Sequence, residues 1–133
     1  MKIHKVILGI GIIEILIGGL TLLAIAVSML NHTNTKTFNV LVFVFLTSLM
    51  SLFLGLGILR HNKTAYQVLI YFSSVIALSK VLIFTNIIYL NGALETSIPQ
   101  FSKDRISILY HVFVVFFLSR KHIKELFWRS ERM

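Results

Sequence analysis

The sequence predicts an all-α fold: a bundle of four transmembrane helices followed by a short C-terminal amphipathic helix at the membrane interface. Three observations predict it. Four apolar runs, at about 6–30, 38–59, 65–90 and 98–119, alternate with short charge-bearing segments. Of 133 residues, 56% are hydrophobic and only 14% charged, with mean hydropathy +0.86, too little polar surface to cover a soluble domain. The basic residues also divide unevenly between the two sides that such runs would define.

The first run follows Lys2 and Lys5 and imitates a signal peptide, with Ala24-Ile25-Ala26 in the place of a cleavage site. It reads instead as a spanning helix, because it exceeds a signal core, carries Glu14 and continues apolar through Leu30. The second and third runs meet outright the roughly 20 residues needed to cross ~30 Å of hydrocarbon. Thr64-Ala65-Tyr66-Gln67 reads as a capping box opening the third helix, and Asn91-Gly92 as its stop. The fourth run has a length problem, since Arg105 to Arg120 covers only ~22 Å by helical rise. A start at Ser97-Ile98-Pro99-Gln100 extends it and carries Lys103, Asp104 and Arg105 into the headgroups. The tail, 120–133, sets Ile123, Leu126, Phe127 and Trp128 beside Lys121, Lys124 and Arg129, the pattern of an interfacial anchor on anionic lipid.

With the N-terminus cytoplasmic, one side holds nine basic residues: Lys2, Lys5, Arg60, Lys63, Arg120, Lys121, Lys124, Arg129 and Arg132. The other holds three, Lys36, Lys103 and Arg105. This bias places both termini in the cytoplasm and the chain, a single integral domain over 1–133, in the cell (inner) membrane. The sequon Asn31-His32-Thr33 lies against the membrane and carries no weight. The net charge of +8 is spent on orientation, so nucleic acid is not an expected partner; membrane lipids, a homo-oligomer or a larger membrane complex are.

Depth identifies candidate polar contacts. Glu14 lies nine residues beyond Lys5, ~14 Å along a helix, and the same offset reaches Ser51, then Ser73 and Ser74, then Tyr110 and His111. These six residues form the candidate intramembrane polar site. Gly11, Glu14, Gly18, Thr21 and Ser28 make a small and polar stripe, as do Thr47, Ser51 and Gly55, so Glu14 and Ser51 should face the interior. Lys80, ~25 Å deep, lies ~12 Å beyond Glu14 along the axis, past the reach of a lysine, and reads as an outer-leaflet charge that snorkels outward. Two readings of Glu14 and His111 stay open. They make either a satisfied polar contact that fixes helix register, or a site that binds a cation, passes a proton or holds a headgroup.

Other chemistries find no support. There is no cysteine, which excludes disulfides and thiolate ligands, and one Glu with one His gives too few ligands for a zinc site within one chain. Gly9 and Gly11 lack the strand and Lys-Ser/Thr of a phosphate loop, and no serine has a base and orienting acid nearby. No catalytic residue, metal or cofactor is expected.

The segments Gly11-Ile12-Ile13-Glu14-Ile15-Leu16-Ile17-Gly18-Gly19-Leu20, Leu54 to Arg60 with the turn Asn62 to Tyr66, and Leu109 to Phe127 resemble small prokaryotic four-helix membrane proteins of uncharacterised function. In that group an arginine often follows the alanine of the central turn, where this chain has Tyr66. The Glu14 to Leu20 portion is also similar to DoxX-like membrane proteins, in which it usually lies in a later helix. Neither resemblance implies an active site. The expected function is a non-catalytic accessory or binding subunit. The rivals are a small oligomeric transporter or channel using Glu14 and a redox or quinone-linked component.

Overall fold

A computed structural model describes residues 2–31, 38–85 and 100–130. Every described element is a helix: α1 Lys2–Leu30, α2 Phe38–Leu59, α3 Lys63–Phe84, α4 Gln100–Leu118 and α5 Lys121–Ser130. Three of them, α1, α2 and α3, are long and apolar enough to cross a membrane, and a fourth crossing is reached if the bent pair α4 and α5 counts as one. The chain divides into two compact units, residues 1–66 and 67–133.

In the first unit α1 and α2 pair along a seam that buries small and polar residues among apolar ones. Ile7, Ile10, Gly11, Glu14, Gly18 and Ile25 are buried on α1, while Leu8, Ile12, Leu16, Leu20 and Leu23 are exposed. On α2, Ser48, Ser51, Leu54, Gly55 and Ile58 are buried, and Phe43, Phe45, Leu46, Met50 and Phe53 are exposed. The seam thus mixes large apolar side chains with every buried small or polar residue of the two helices, while the outer faces carry only exposed Leu, Ile, Phe and Met among the residues named, as lipid solvent permits. The buried α2 positions 48, 51, 55 and 58 step by three and four residues, the spacing of a continuous helix seam. Ser48 therefore takes the inward place that the sequence stripe gave to Thr47. Thr47 is half-buried and donates its hydroxyl to the Phe43 carbonyl at 2.9 Å, satisfying itself on its own helix.

The turn into α3 is built by three residues. The Asn62 amide donates to the Gly57 carbonyl (2.9 Å) and the His61 amide to the Ile58 carbonyl (3.0 Å), the paired bonds of a Schellman ending. His61 occupies the left-handed position usually given to glycine, with φ 54°. The Asn62 side-chain oxygen then accepts from the amides of Thr64 (2.8 Å) and Ala65 (3.2 Å). The cap of α3 is thus Asn62, two residues before the Thr64 expected from sequence, because an asparagine carbonyl reaches both free amides of the first turn.

In the second unit α4 ends at Leu118 and α5 departs at 68° after a two-residue break at Ser119 and Arg120. The Arg120 carbonyl accepts from the Ile123 and Lys124 amides, starting the new helix. The extension of the third helix to 90, its Asn91-Gly92 stop, most of the Ser97–Gln100 box and most of the sequon lie outside the described residues.

Candidate functional site

The polar groups fall into two sets, one in each unit. In the first, Glu14 is fully buried on α1 and Ser51, 3% exposed, faces it from α2. The Ser51 hydroxyl donates to the Glu14 carboxylate oxygen Oε2 and also approaches the Glu14 main-chain carbonyl at 3.1 Å. Equal depth expects Ser51 in one polar layer with Glu14, and between α1 and α2 the two side chains meet. The flanking residues explain why the two backbones come close enough to make it. A Cβ on Gly55 would stand 2.7 Å from the Gly11 carbonyl oxygen and 2.9 Å from the Ile15 nitrogen, and one on Gly18 would stand 2.5 Å from the Ser48 carbonyl oxygen. The glycines therefore set the helix separation, and the separation sets the hydrogen bond.

In the second unit, sequence reasoning missed the partner of Lys80. Its Nζ lies 2.7 Å from Asp104 Oδ1, with the lysine side chain 31% exposed and the aspartate 6%. Lys80 is thus ion-paired, and Asp104 is its buried counter-ion. The signal was present, since Lys80 lies 17 residues beyond Lys63 and Asp104 lies 16 before Arg120, ~25 Å and ~24 Å by helical rise. Arg105, next to Asp104, is exposed, and its guanidinium carbon sits 6.0 Å from the centre of the Phe84 ring.

The remaining expected residues separate by burial. Ser73 is fully buried and its Oγ has no hydrogen-bond partner; Ser74 is exposed and donates to the Ile70 carbonyl at 2.8 Å. His111 is 6% exposed and its Nδ1 also lacks a partner. The Tyr110 ring stands edge-on to the imidazole at 5.1 Å. Glu14 and Ser51 thus meet in one unit, whereas Ser73, His111, Lys80 and Asp104 belong to the other.

The expected interfacial anchor is corrected in one respect. Ile123 and Phe127 are 2% and 0% exposed, so the face assigned to the headgroups is buried within the protein. Trp128 and Leu126 are half-buried, and Lys121, Lys124 and Arg129 are exposed. The Lys124 ammonium lies 5.1 Å from the centre of the Trp128 ring, a cation–π contact one helical turn apart. A helix of this composition can satisfy its apolar side on either lipid or protein, and here two of its four apolar residues are satisfied by protein.

Among the described residues no group of three or more His, Asp or Glu side chains could hold a metal ion. Compared with protein-family models, with curated proteins and with solved structures, the chain matches none.

Proposed function

We propose that this chain is a four-span membrane protein with both termini cytoplasmic, acting as a non-catalytic accessory or binding subunit in contact with its own copies or another membrane protein. One observation carries the reading: the carboxyl group most suited to chemistry, Glu14, is spent on structure. It is fully buried, receives the Ser51 hydroxyl, and sits between glycines whose neighbours leave no room for a Cβ. A carboxylate that couples transport must exchange its proton or ion with water, and this one is enclosed by the helix pair it holds together. The likeness to small prokaryotic four-helix membrane proteins belongs to the same reading. On this account α5 lies along the cytoplasmic surface, its exposed Lys121, Lys124 and Arg129 toward anionic lipid.

A second reading, an oligomeric transporter or channel, draws on the Lys80–Asp104 pair, because intramembrane charges often mark ion paths. Flux measurements on reconstituted protein separate the two. The accessory reading expects no ion or proton flux above empty liposomes at any pH, for the wild type and for Glu14→Gln alike. A pH-dependent flux that Glu14→Gln abolishes would establish transport instead.

A further inference from the structure

Two fully or nearly buried polar atoms in the second unit, Ser73 Oγ and His111 Nδ1, have no hydrogen-bond partner. The ion pair beside them shows that they are neighbours in depth. Lys80 lies four residues before the end of α3 and Asp104 four residues after the start of α4, so their contact pins the two helices where the chain returns between them. One heptad away from that connection, Lys80 leads to Ser73 and Asp104 leads to His111. Seven residues are close to two full turns, so each step keeps its face while moving ~10.5 Å along the axis. Ser73 and Lys80 therefore share a face of α3, Asp104 and His111 share a face of α4, and the two orphaned atoms fall at one level.

We propose that Ser73 and His111 together form an intramembrane binding site for a hydroxyl-type ligand. Its oxygen accepts from or donates to Ser73 Oγ while completing the bond to His111 Nδ1. The chemistry of the two atoms selects the class. A serine hydroxyl offers both a donor and acceptors, and Nδ1 is a donor in one tautomer and an acceptor in the other. A bare carbonyl could not donate and an ammonium could not accept, whereas a hydroxyl does both and serves either tautomer. One oxygen that bridges two such atoms reaches across about two hydrogen bonds, ~5.5 Å. Buried polar groups left unmatched in an apolar setting lower stability, which gives the ligand its binding energy. Water and the hydroxyl of a lipid headgroup carry the same chemistry. The site rests on the proposed four-span reading, of which topology labelling tests the α3 crossing separately.

The experiment uses the full chain in bilayers of phosphatidylethanolamine and phosphatidylglycerol. Thermal midpoints are measured for the wild type, Ser73→Ala, His111→Phe and the double variant. A shared ligand predicts that each single change lowers the midpoint and that the double change lowers it no further than the larger single one. Additive losses would overturn the site. Solid-state NMR of ¹⁵N-labelled wild type, with His111→Phe identifying its signal, then reads magnetisation transfer to His111 Nδ1. Transfer from water protons assigns water, and transfer from headgroup hydroxyl protons assigns lipid; in either case Ser73→Ala should reduce it several-fold. Absence of transfer from both sources refutes the proposal even if every variant proves unstable.

Discussion

Alanine at Gly18 or Gly55 is expected to force α1 and α2 apart. The atoms in the way are backbone: Ser48 O at 2.5 Å and Leu52 N at 2.7 Å for Gly18, Gly11 O at 2.7 Å and Ile15 N at 2.9 Å for Gly55. Backbone in a helix cannot rotate aside, so an entire helix must shift, at about 1–3 kcal/mol for such overpacking and with strain on the Ser51–Glu14 bond as well. Gly11→Ala should cost less, because its two nearest neighbours are Leu59 side-chain atoms at 2.8 and 2.9 Å that can change rotamer. Gly9→Ala meets nothing within 4 Å and Gly19→Ala only Leu52 Cδ1 at 3.9 Å, so both should be near neutral. Thermal unfolding of the five variants in one detergent checks the order. Equal gains at Gly9 and Gly18 would show that helix propensity, not close approach, governs the effect.

Lys80→Met should be the more damaging half of an asymmetric pair. It leaves Asp104, 6% exposed, as a buried carboxylate without its counter-charge, and breaking a buried pair in this way costs about 3–5 kcal/mol. Asp104→Leu leaves Lys80, 31% exposed, with a flexible stem that can carry its ammonium to water, so the loss is smaller. The double variant Lys80→Met with Asp104→Leu removes both charges and should recover most of the stability lost by Lys80→Met alone. Unfolding midpoints for the three proteins decide this. A double variant no more stable than Lys80→Met would mean that the side chains contribute by shape and not by charge.

How far the chain could be read from its residues depends on whether a feature is set by local pattern or by a partner. The limits of α2 follow from hydropathy alone, and the Glu14–Ser51 contact follows from equal offsets between two basic boundaries, which fix depth in a membrane as they would not in water. Identity of the cap was harder, because Asn62 and Thr64 both supply an oxygen and only turn geometry decides between them. The Lys80–Asp104 pair was missed because each charge was explained separately, one by snorkelling and one by headgroups. The destination of Ile123 and Phe127 was not written in their spacing, since amphipathic periodicity shows that a face is buried without showing what buries it. The choice of Ser73 over Ser74 likewise depends on helix rotation, which a run of apolar neighbours on all sides leaves open.

The proposed orientation stands on crossings that leave the turn at 62 in the cytoplasm and the connections at 34 and 92 outside, and cysteine labelling tests it most directly. The chain has no cysteine of its own, so single cysteines can be placed at Asn34, Asn62 and Gly92 without background. In intact cells, an impermeant thiol reagent should modify the Asn34→Cys and Gly92→Cys proteins and spare Asn62→Cys until the membrane is opened. Modification of Asn62→Cys in intact cells, with Asn34→Cys and Gly92→Cys protected, would contradict the orientation. Opposite behaviour of Asn34→Cys and Gly92→Cys would contradict the count of crossings.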